Sequence, residues 1–444
     1  MMSALASLRK GEGLANELIR AVIGSAGVRF AGMIVTFLVG VQLARYLGPE
    51  AYGVYGMAMA MAAILIVFAQ LGLPQLITRE ISGAMAKGDF SRAKGAMIWF
   101  PVSVAGASLF MMLVGYLGIS LWEGKGEGQL GVALYWALAL VPLFALTNIF
   151  ASALRGFHKV VRAQIFDAVL RPLLFAGMLF AAFVMLGSIS PQTALMFHVA
   201  AATIILLICA ITLFLTLPDN VRSTLPTLHA RTWVSSAVPM TGTEIVRTID
   251  GQYAVLLLGM LVSAHDVGIF RVALATAAFL SVPGTVLTLV IMPYIAKFHA
   301  AEETQHLQKL ATMSALVSFA STATMTAVIV FFGQSLIKIV FGNDFVSAWP
   351  PLVLISIAFT IQGFFGSSAT ILNMASEEKA VTFAYSVSLM MAVCLSWILI
   401  PAYGPLGVGV AMIISEIIKD VIMWRRAHDQ LKIDTSLAAI FLKL

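Results

Sequence analysis

Charge is scarce in this chain. Only 11% of its 444 residues are Asp, Glu, Lys or Arg, and 60% are apolar. Soluble domains carry about a quarter charged residues, so a water-solvated globular domain is excluded. Cysteine is scarcer still. Cys209 and Cys394 are the only two, and both sit inside apolar runs, which excludes a disulfide framework and a cysteine metal cluster. No GxxxxGK[ST], HExxH, paired CxxC or nucleophile elbow occurs. Gly126-Glu127-Gly128-Gln129-Leu130-Gly131 spells GxGxxG, but it follows no strand and precedes a membrane helix, so it lacks the context of a dinucleotide site. The longest outer segment, 333–349, offers Lys338 and Asp344 but no His and no paired carboxylates. The expectation is a protein that is not an enzyme, with no cofactor and no metal.

What is present in abundance is the long apolar run. Stretches of about 20 apolar residues are enough to cross a bilayer. Twelve can be counted, starting near Ile23, Tyr52, Gly95, Gly131, Ala163, Gln192, Ser236, Gly268, Leu310, Trp349, Ala380 and Gly404. The fold class expected is all-α, a polytopic membrane protein of twelve transmembrane helices. Arg9, Lys10 and Arg20 before the first run imitate a signal peptide, but that run is too long and is followed by many more, so it reads as a retained helix. Basic residues set the orientation, because segments that stay in the cytoplasm keep Lys and Arg. With the N-terminus inside, nineteen of the 27 fall in inner segments and only Lys125 and Lys338 in outer ones. Both termini are therefore expected in the cytoplasm. The basic inner loops suit anionic lipid heads better than nucleic acid.

The chain also repeats itself. Gly48-Pro49-Glu50-Ala51-Tyr52-Gly53-Val54-Tyr55 parallels Ser263-Ala264-His265-Asp266-Val267-Gly268-Ile269-Phe270, with Gly53 and Gly268 offset by 215. Pro74 and Pro293 follow at 219, and Lys159 and Lys379 at 220. Two copies of six spans in the same orientation are the pattern of parallel-repeat transporters. The expected organisation is an N-terminal six-helix lobe at 1–217, a cytoplasmic linker at 218–235, a C-terminal lobe at 236–424 and a cytoplasmic tail at 425–444.

The few charges inside spans carry the functional argument. Glu244, Arg247 and Asp250 lie three apart in the seventh run, on neighbouring positions of one helix side. An ionised group near the midplane costs about 2.5–3.5 kcal/mol on insertion scales, so such residues face a bundle interior or a wet cavity. Either they form an internal ion-pair ladder or they wall a substrate path. Asp250, nearest the midplane, is the candidate for ion coupling. Arg29 stands in the Gly-rich start of the first run, Gly24 to Gly32, where small residues allow close helix approach. Its planar fork suits phosphate; the alternative is a snorkelling side chain. Arg29 and Glu244 are offset by 215, so the repeat places opposite charges at equivalent positions, on facing walls of a central cavity. Other charges read as structural. Asp167 and Arg171 make an intrahelical pair ahead of Pro172, Arg271 is interfacial, and Glu416, Lys419 and Asp420 form a solvated group at the end of the last span. Ala86 to Lys94 reads as an amphipathic surface segment, and the tail from Lys432 to Leu444 as lying on the inner leaflet.

Leu43-Ala44-Arg45-Tyr46-Leu47-Gly48-Pro49-Glu50-Ala51-Tyr52-Gly53-Val54-Tyr55, continued by Leu71-Gly72-Leu73-Pro74-Gln75-Leu76-Ile77-Thr78-Arg79-Glu80-Ile81, resembles the polysaccharide biosynthesis/oligosaccharide flippase family. That family belongs to the superfamily that also holds multidrug extruders and lipid II flippases. The resemblance implies two six-helix lobes in a V around a cationic cavity that alternates between leaflets. It implies movement of an anionic undecaprenyl-diphosphate-linked oligosaccharide across a bacterial plasma membrane, with embedded arginines serving the pyrophosphate or acidic sugars; Arg29 and Arg247 suit that role. Membrane lipids, H+ or Na+ as coupling ion, and polysaccharide polymerase machinery are the partners it brings to mind. A multidrug exporter is the first rival and a lipid II-type flippase the second. The mixed lining of Arg29 and Arg247 against Glu244 and Asp250 favours the oligosaccharide flippase modestly.

Overall fold

The computed structural model describes residues 2–121 and 128–440, apart from the side chains of 2–23, 238–240, 243, 289 and 440. Among them every regular element is helical, as expected of backbone that must satisfy its own polar groups in lipid. The longer ones in chain order are α1 (Met2–Gln70), α2 (Leu73–Lys87), α3 (Phe90–Leu121), α4 (Gln129–Gly156), α5 (Val160–Leu186), α6 (Pro191–Thr216), α7 (Ala230–Leu261), α8 (264–300), α9 (Thr304–Val340), α10 (Trp349–Phe365), α11 (Glu378–Tyr403) and α12 (Pro405–Leu431). Gly126 and Glu127 of the GxGxxG look-alike fall outside the described residues, and Gln129 to Gly131 simply open α4.

Nine helices among the described residues are long and apolar enough to cross a membrane. The first of them is two rods, because Gly48 takes φ 74° ahead of Pro49 and breaks α1. Helices α7 and α12, of 32 and 27 residues, are equally long but carry the charges Glu244, Arg247, Asp250 and Glu416, Lys419, Asp420. With these two included and α1 separated into its arms, twelve long rods are described. Their outer faces suit hydrocarbon: Leu109, Phe110 and Leu113 of α3 and Phe331, Phe332 and Ile339 of α9 are all exposed.

The chain divides into two compact units, Met1–Gln42 with Met61–Ile245 and Leu43–Ala60 with Val246–Leu444. In the first unit α2 is too short to span. It buries Leu73, Leu76, Ile77, Ile81 and Ala84 at helical spacing and ends where Gly88 turns left-handed. Residues 86–94 are thus the corner between α2 and α3, with 86–89 exposed and Ala93 buried. Glu80 ties this corner down, accepting from Arg92 Nε at 2.9 Å and from the indole of buried Trp233 at 3.0 Å. The segment before α7 is docked as well: Thr227 N donates to the Ser91 carbonyl, and Val221 packs with Ala84 and Ala93. Within α5 a π turn, Phe166–Leu170, precedes Pro172. Proline has no N–H for the Ala168 carbonyl. At this spot Gly32 of α1 lies directly against Ala168, which only a residue without Cβ allows.

The second unit contains a reciprocal crossing. A Cβ on Gly53 would strike the Ala264 carbonyl, and one on Gly268 would strike the Pro49 carbonyl. These four positions are the two 215-residue equivalents, so the contact has the self-complementary form of a two-fold related pair. Left-handed corners also recur down the chain: Gly88 and Glu302, His158 and Ser376, and Gly187 and Gly404 share positive φ at offsets of 214, 218 and 217. Near the crossing the Arg271 guanidinium lies 5.2 Å from the Tyr52 ring and 5.9 Å from that of Tyr55, so it is stacked rather than merely interfacial. Arg45 caps α9 by donating to the carbonyls of Val340 at 2.7 Å and Ile339 at 2.5 Å.

The tail differs from expectation as far as it is described. Ile433 joins a core with Ile291, Ile295, Leu307 and Ile371. Asp434 exchanges two hydrogen bonds with Gln308 and accepts from the Trp424 indole at 2.8 Å. Residues 432–439 therefore pack on the helix ends instead of a leaflet, because Asp434 finds its partners within the protein. Phe441 and Leu444 lie outside the described residues.

Candidate functional site

Each unit holds a polar cavity walled by helices that are otherwise apolar. The cavity of the first unit, about 440 Å³, is lined by Val67 and Gln70 of α1, Gly72, Pro74, Gln75 and Thr78 at the start of α2, Asn148 and Arg155 of α4, and Glu244 of α7. Gly72, left-handed at φ 69°, makes the turn that brings Gln70 and Gln75 to one opening. Asn148 and Arg155 are two turns apart on one face of α4. They form a relay: Arg155 Nη2 donates to Asn148 Oδ1 at 3.3 Å and to Ser152 Oγ at 2.5 Å, and Asn148 Nδ2 donates to Gln70 Oε1 at 3.0 Å. Thr78 Oγ1 lies 2.9 Å from the Ser152 carbonyl and 3.0 Å from that of Pro74, its one proton serving these acceptors.

Arg29 is exposed on α1 in the same unit, and Arg29 and Asp167 both lie within electrostatic range of Arg155. Asp167 and Arg171 make the expected pair at 2.9 Å, and Arg171 also sits 4.1 Å above the Phe144 ring. Beside them His198 is buried and stacked on Phe175 at 4.2 Å.

The cavity of the second unit, about 320 Å³, is lined by Arg247, Asp250 and Tyr253 of α7, Gln362 of α10, Tyr385 and Ser388 of α11, and Ser415, Glu416 and Lys419 of α12, among others. Here the expectation of a solvated group is corrected. Lys419 and Asp420 are 5% and 2% exposed. Lys419 is ion-paired with Glu416 and lies 5.0 Å from the Tyr385 ring, and Glu416 accepts from Gln362 Nε2 at 2.9 Å. Burial is tolerated because the charges answer one another. Asp420 Oδ2, like the hydroxyls of Tyr253 and Ser396, is buried with no hydrogen-bond partner among the described residues.

The four residues singled out from sequence are placed as follows. Glu244 belongs to the first cavity, and Arg247 and Asp250 to the second, although all three share α7. Arg29 falls in the same unit as Glu244. Among the described residues none makes an ion pair with any of the four, so the ladder Glu244–Arg247–Asp250 is not formed. Sequence reasoning passed over Gln70, Asn148 and Arg155. Their signal was available: two amides in the middle of apolar runs, and an arginine seven residues after the second of them.

Long apolar rods enclosing open, incompletely paired polar cavities define a polytopic membrane transporter. The comparisons agree in fold. The chain resembles the inward-facing structure of a multidrug resistance MATE family transporter of the MOP superfamily, with TM-score 0.75 and 15% identity over 92% of this chain and 98% of that one. It also resembles the lipid II flippase MurJ in an inward closed conformation, with TM-score 0.70 and 15% identity over 96% and 91%. In sequence it is 23% identical to the probable low-salt glycan biosynthesis flippase Agl15 of Haloferax volcanii, over 91% of this chain and 81% of that protein. The profile of the polysaccharide biosynthesis protein family matches residues 18–299, more than half of the chain, and the protein belongs to that family.

Proposed function

We propose that the protein is a flippase that carries an undecaprenyl-diphosphate-linked oligosaccharide from the inner to the outer face of a bacterial plasma membrane, for surface polysaccharide or O-antigen synthesis. The observation that carries this reading is the set of unpaired intramembrane charges. Glu244 lines the first cavity, Arg247 and Asp250 line the second and Arg29 lies within range of Arg155, yet among the described residues none of the four forms an ion pair. A charge held in a membrane without a counter-charge is costly, so these groups await a polar visitor or water. Arg29 and Arg247 supply donors to the diphosphate. Asp250, within range of Glu416 and Lys419, is the position for H+ or Na+ coupling. Lobes at 1–217 and 236–424, joined by 218–235, rock about these groups to expose them to each face in turn, with both termini in the cytoplasm. A lipid tail remains in the bilayer against the exposed apolar faces while the head group crosses.

The test is complementation of a deletion strain with wild type, Arg29→Ala or Arg247→Ala, following lipid-linked saccharide on each membrane face. The expected result is loss of outer-face saccharide with both variants. Equal export by all three removes the arginine assignment. Intact export in the deletion strain, with new sensitivity to cationic drugs, replaces the flippase by a multidrug exporter.

A further inference from the structure

The cavity of the first unit has a hydrogen-bonding polarity fixed by the protein itself. Arginine only donates. Asn148 must therefore turn its carbonyl oxygen to Arg155 and its amide nitrogen to Gln70, and Gln70 must accept through Oε1. This leaves Gln70 Nε2 as a donor with no acceptor among the described residues, on the cavity wall. Thr78 is set in the opposite sense. Its proton is committed to main-chain carbonyls, so its oxygen offers only lone pairs. Glu244, exposed and without an ion pair among the described residues, adds a second acceptor.

Oriented donors and acceptors thus line one opening. A phosphate accepts only: it would suit the N–H groups that Arg155 does not spend on Asn148 and Ser152, but Thr78 and Glu244 would meet it with acceptors. A sugar hydroxyl donates and accepts at once, and a row of them answers both kinds of group. We propose that this cavity is the saccharide subsite of the transporter, and that Gln70, Thr78 and Glu244, oriented by the Arg155–Asn148 relay, take an uncharged sugar ring of the cargo while the diphosphate is held elsewhere. The assignment rests on the flippase reading above and adds which residues read the sugar.

The chemistry yields two isosteric tests. Gln70→Glu replaces the donor by an acceptor. Asn148→Asp accepts from Arg155 but has no proton for Gln70, so Gln70 must rotate its nitrogen inward and show its oxygen to the cavity. The experiment uses the full chain in detergent and in vesicles, with two fluorescent probes, undecaprenyl diphosphate bearing a neutral disaccharide and undecaprenyl diphosphate alone. Both variants are expected to bind the disaccharide lipid about tenfold more weakly, the worth of one or two hydrogen bonds in a desolvated site, and the bare diphosphate lipid within about twofold of wild type. Elution and thermal unfolding like wild type show that the variants fold. Equal weakening for both probes makes the cavity a phosphate site and overturns the proposal. Unchanged binding of the disaccharide lipid by both folded variants overturns it too. Failure of the wild type to move either lipid across vesicles is a separate outcome, which removes the flippase reading and the subsite with it.

Discussion

The two units carry similar polar inventories and use them in opposite ways. Around the first cavity the formal charge is Arg29, Arg155 and Arg171 against Asp167 and Glu244. Around the second it is Arg247 and Lys419 against Asp250, Glu416 and Asp420. The second cluster closes on itself: Lys419 is enclosed by Glu416 and the Tyr385 ring, and Gln362 is spent on Glu416. The first spends its protein bonds on orienting side chains, and leaves the outer valences of Gln70, Thr78 and Glu244 to whatever enters. A paired, buried cluster fixes a structure. An oriented, unsatisfied one receives a ligand. On the proposed reading the first cavity takes the sugar, Arg247 of the second keeps an unpaired guanidinium for the diphosphate, and the Glu416–Lys419 pair of α12 holds the second unit's helices together beside Asp250.

The largest effect is expected where pairing is tightest. Lys419→Ala leaves Glu416 and Asp420 buried without a counter-charge, which costs about 3–5 kcal/mol by analogy with other broken buried pairs. Thermal unfolding in detergent should show a large fall, and restoration by a Lys419→Met, Glu416→Gln, Asp420→Asn triple variant would confirm that charge rather than shape is at fault. Asn148→Leu in the first unit should do the reverse. It leaves folding nearly intact and lowers saccharide transport by about tenfold or more, because one desolvated amide is worth about 1–3 kcal/mol. If it instead melts the protein as Lys419→Ala does, the two units do not differ in kind. Next comes the glycine crossing. Gly268→Leu or Gly53→Leu forces the rods apart and is expected to cost about 1–3 kcal/mol, read as a lower melting temperature. Asp167→Asn is expected to cost about 0.5 kcal/mol or less, since its pair with Arg171 is one turn long and partly solvated.

Much of this architecture was legible from hydropathy, because bilayer thickness sets run length and lipid forbids open backbone. The Gly53 and Gly268 equivalence could be read because a crossing that close permits no other residue. The Asp167–Arg171 pair was legible from spacing alone. Other features depend on what covers a helix, which one helix cannot report. Glu416, Lys419 and Asp420 look like a solvated end in sequence and are enclosed by Gln362 and Tyr385 from helices far along the chain. The Gln70–Asn148–Arg155 relay joins residues 78 positions apart, and amides are common enough that neither announces the other. Asp434 likewise found Gln308 across 126 positions, which is why the tail is packed inward.

The central claim, that the first unit's cavity is left open for the cargo head group, is tested most directly by site protection. In a Cys209→Ala, Cys394→Ala background, Gln75→Cys places a thiol at the exposed rim of that cavity, for reaction with a membrane-impermeant maleimide in vesicles. With disaccharide-bearing undecaprenyl diphosphate at about ten times its Kd, labelling should slow about tenfold, as occupancy dictates. Labelling that stays at the ligand-free rate while the same preparation still moves the lipid across the membrane would contradict the account.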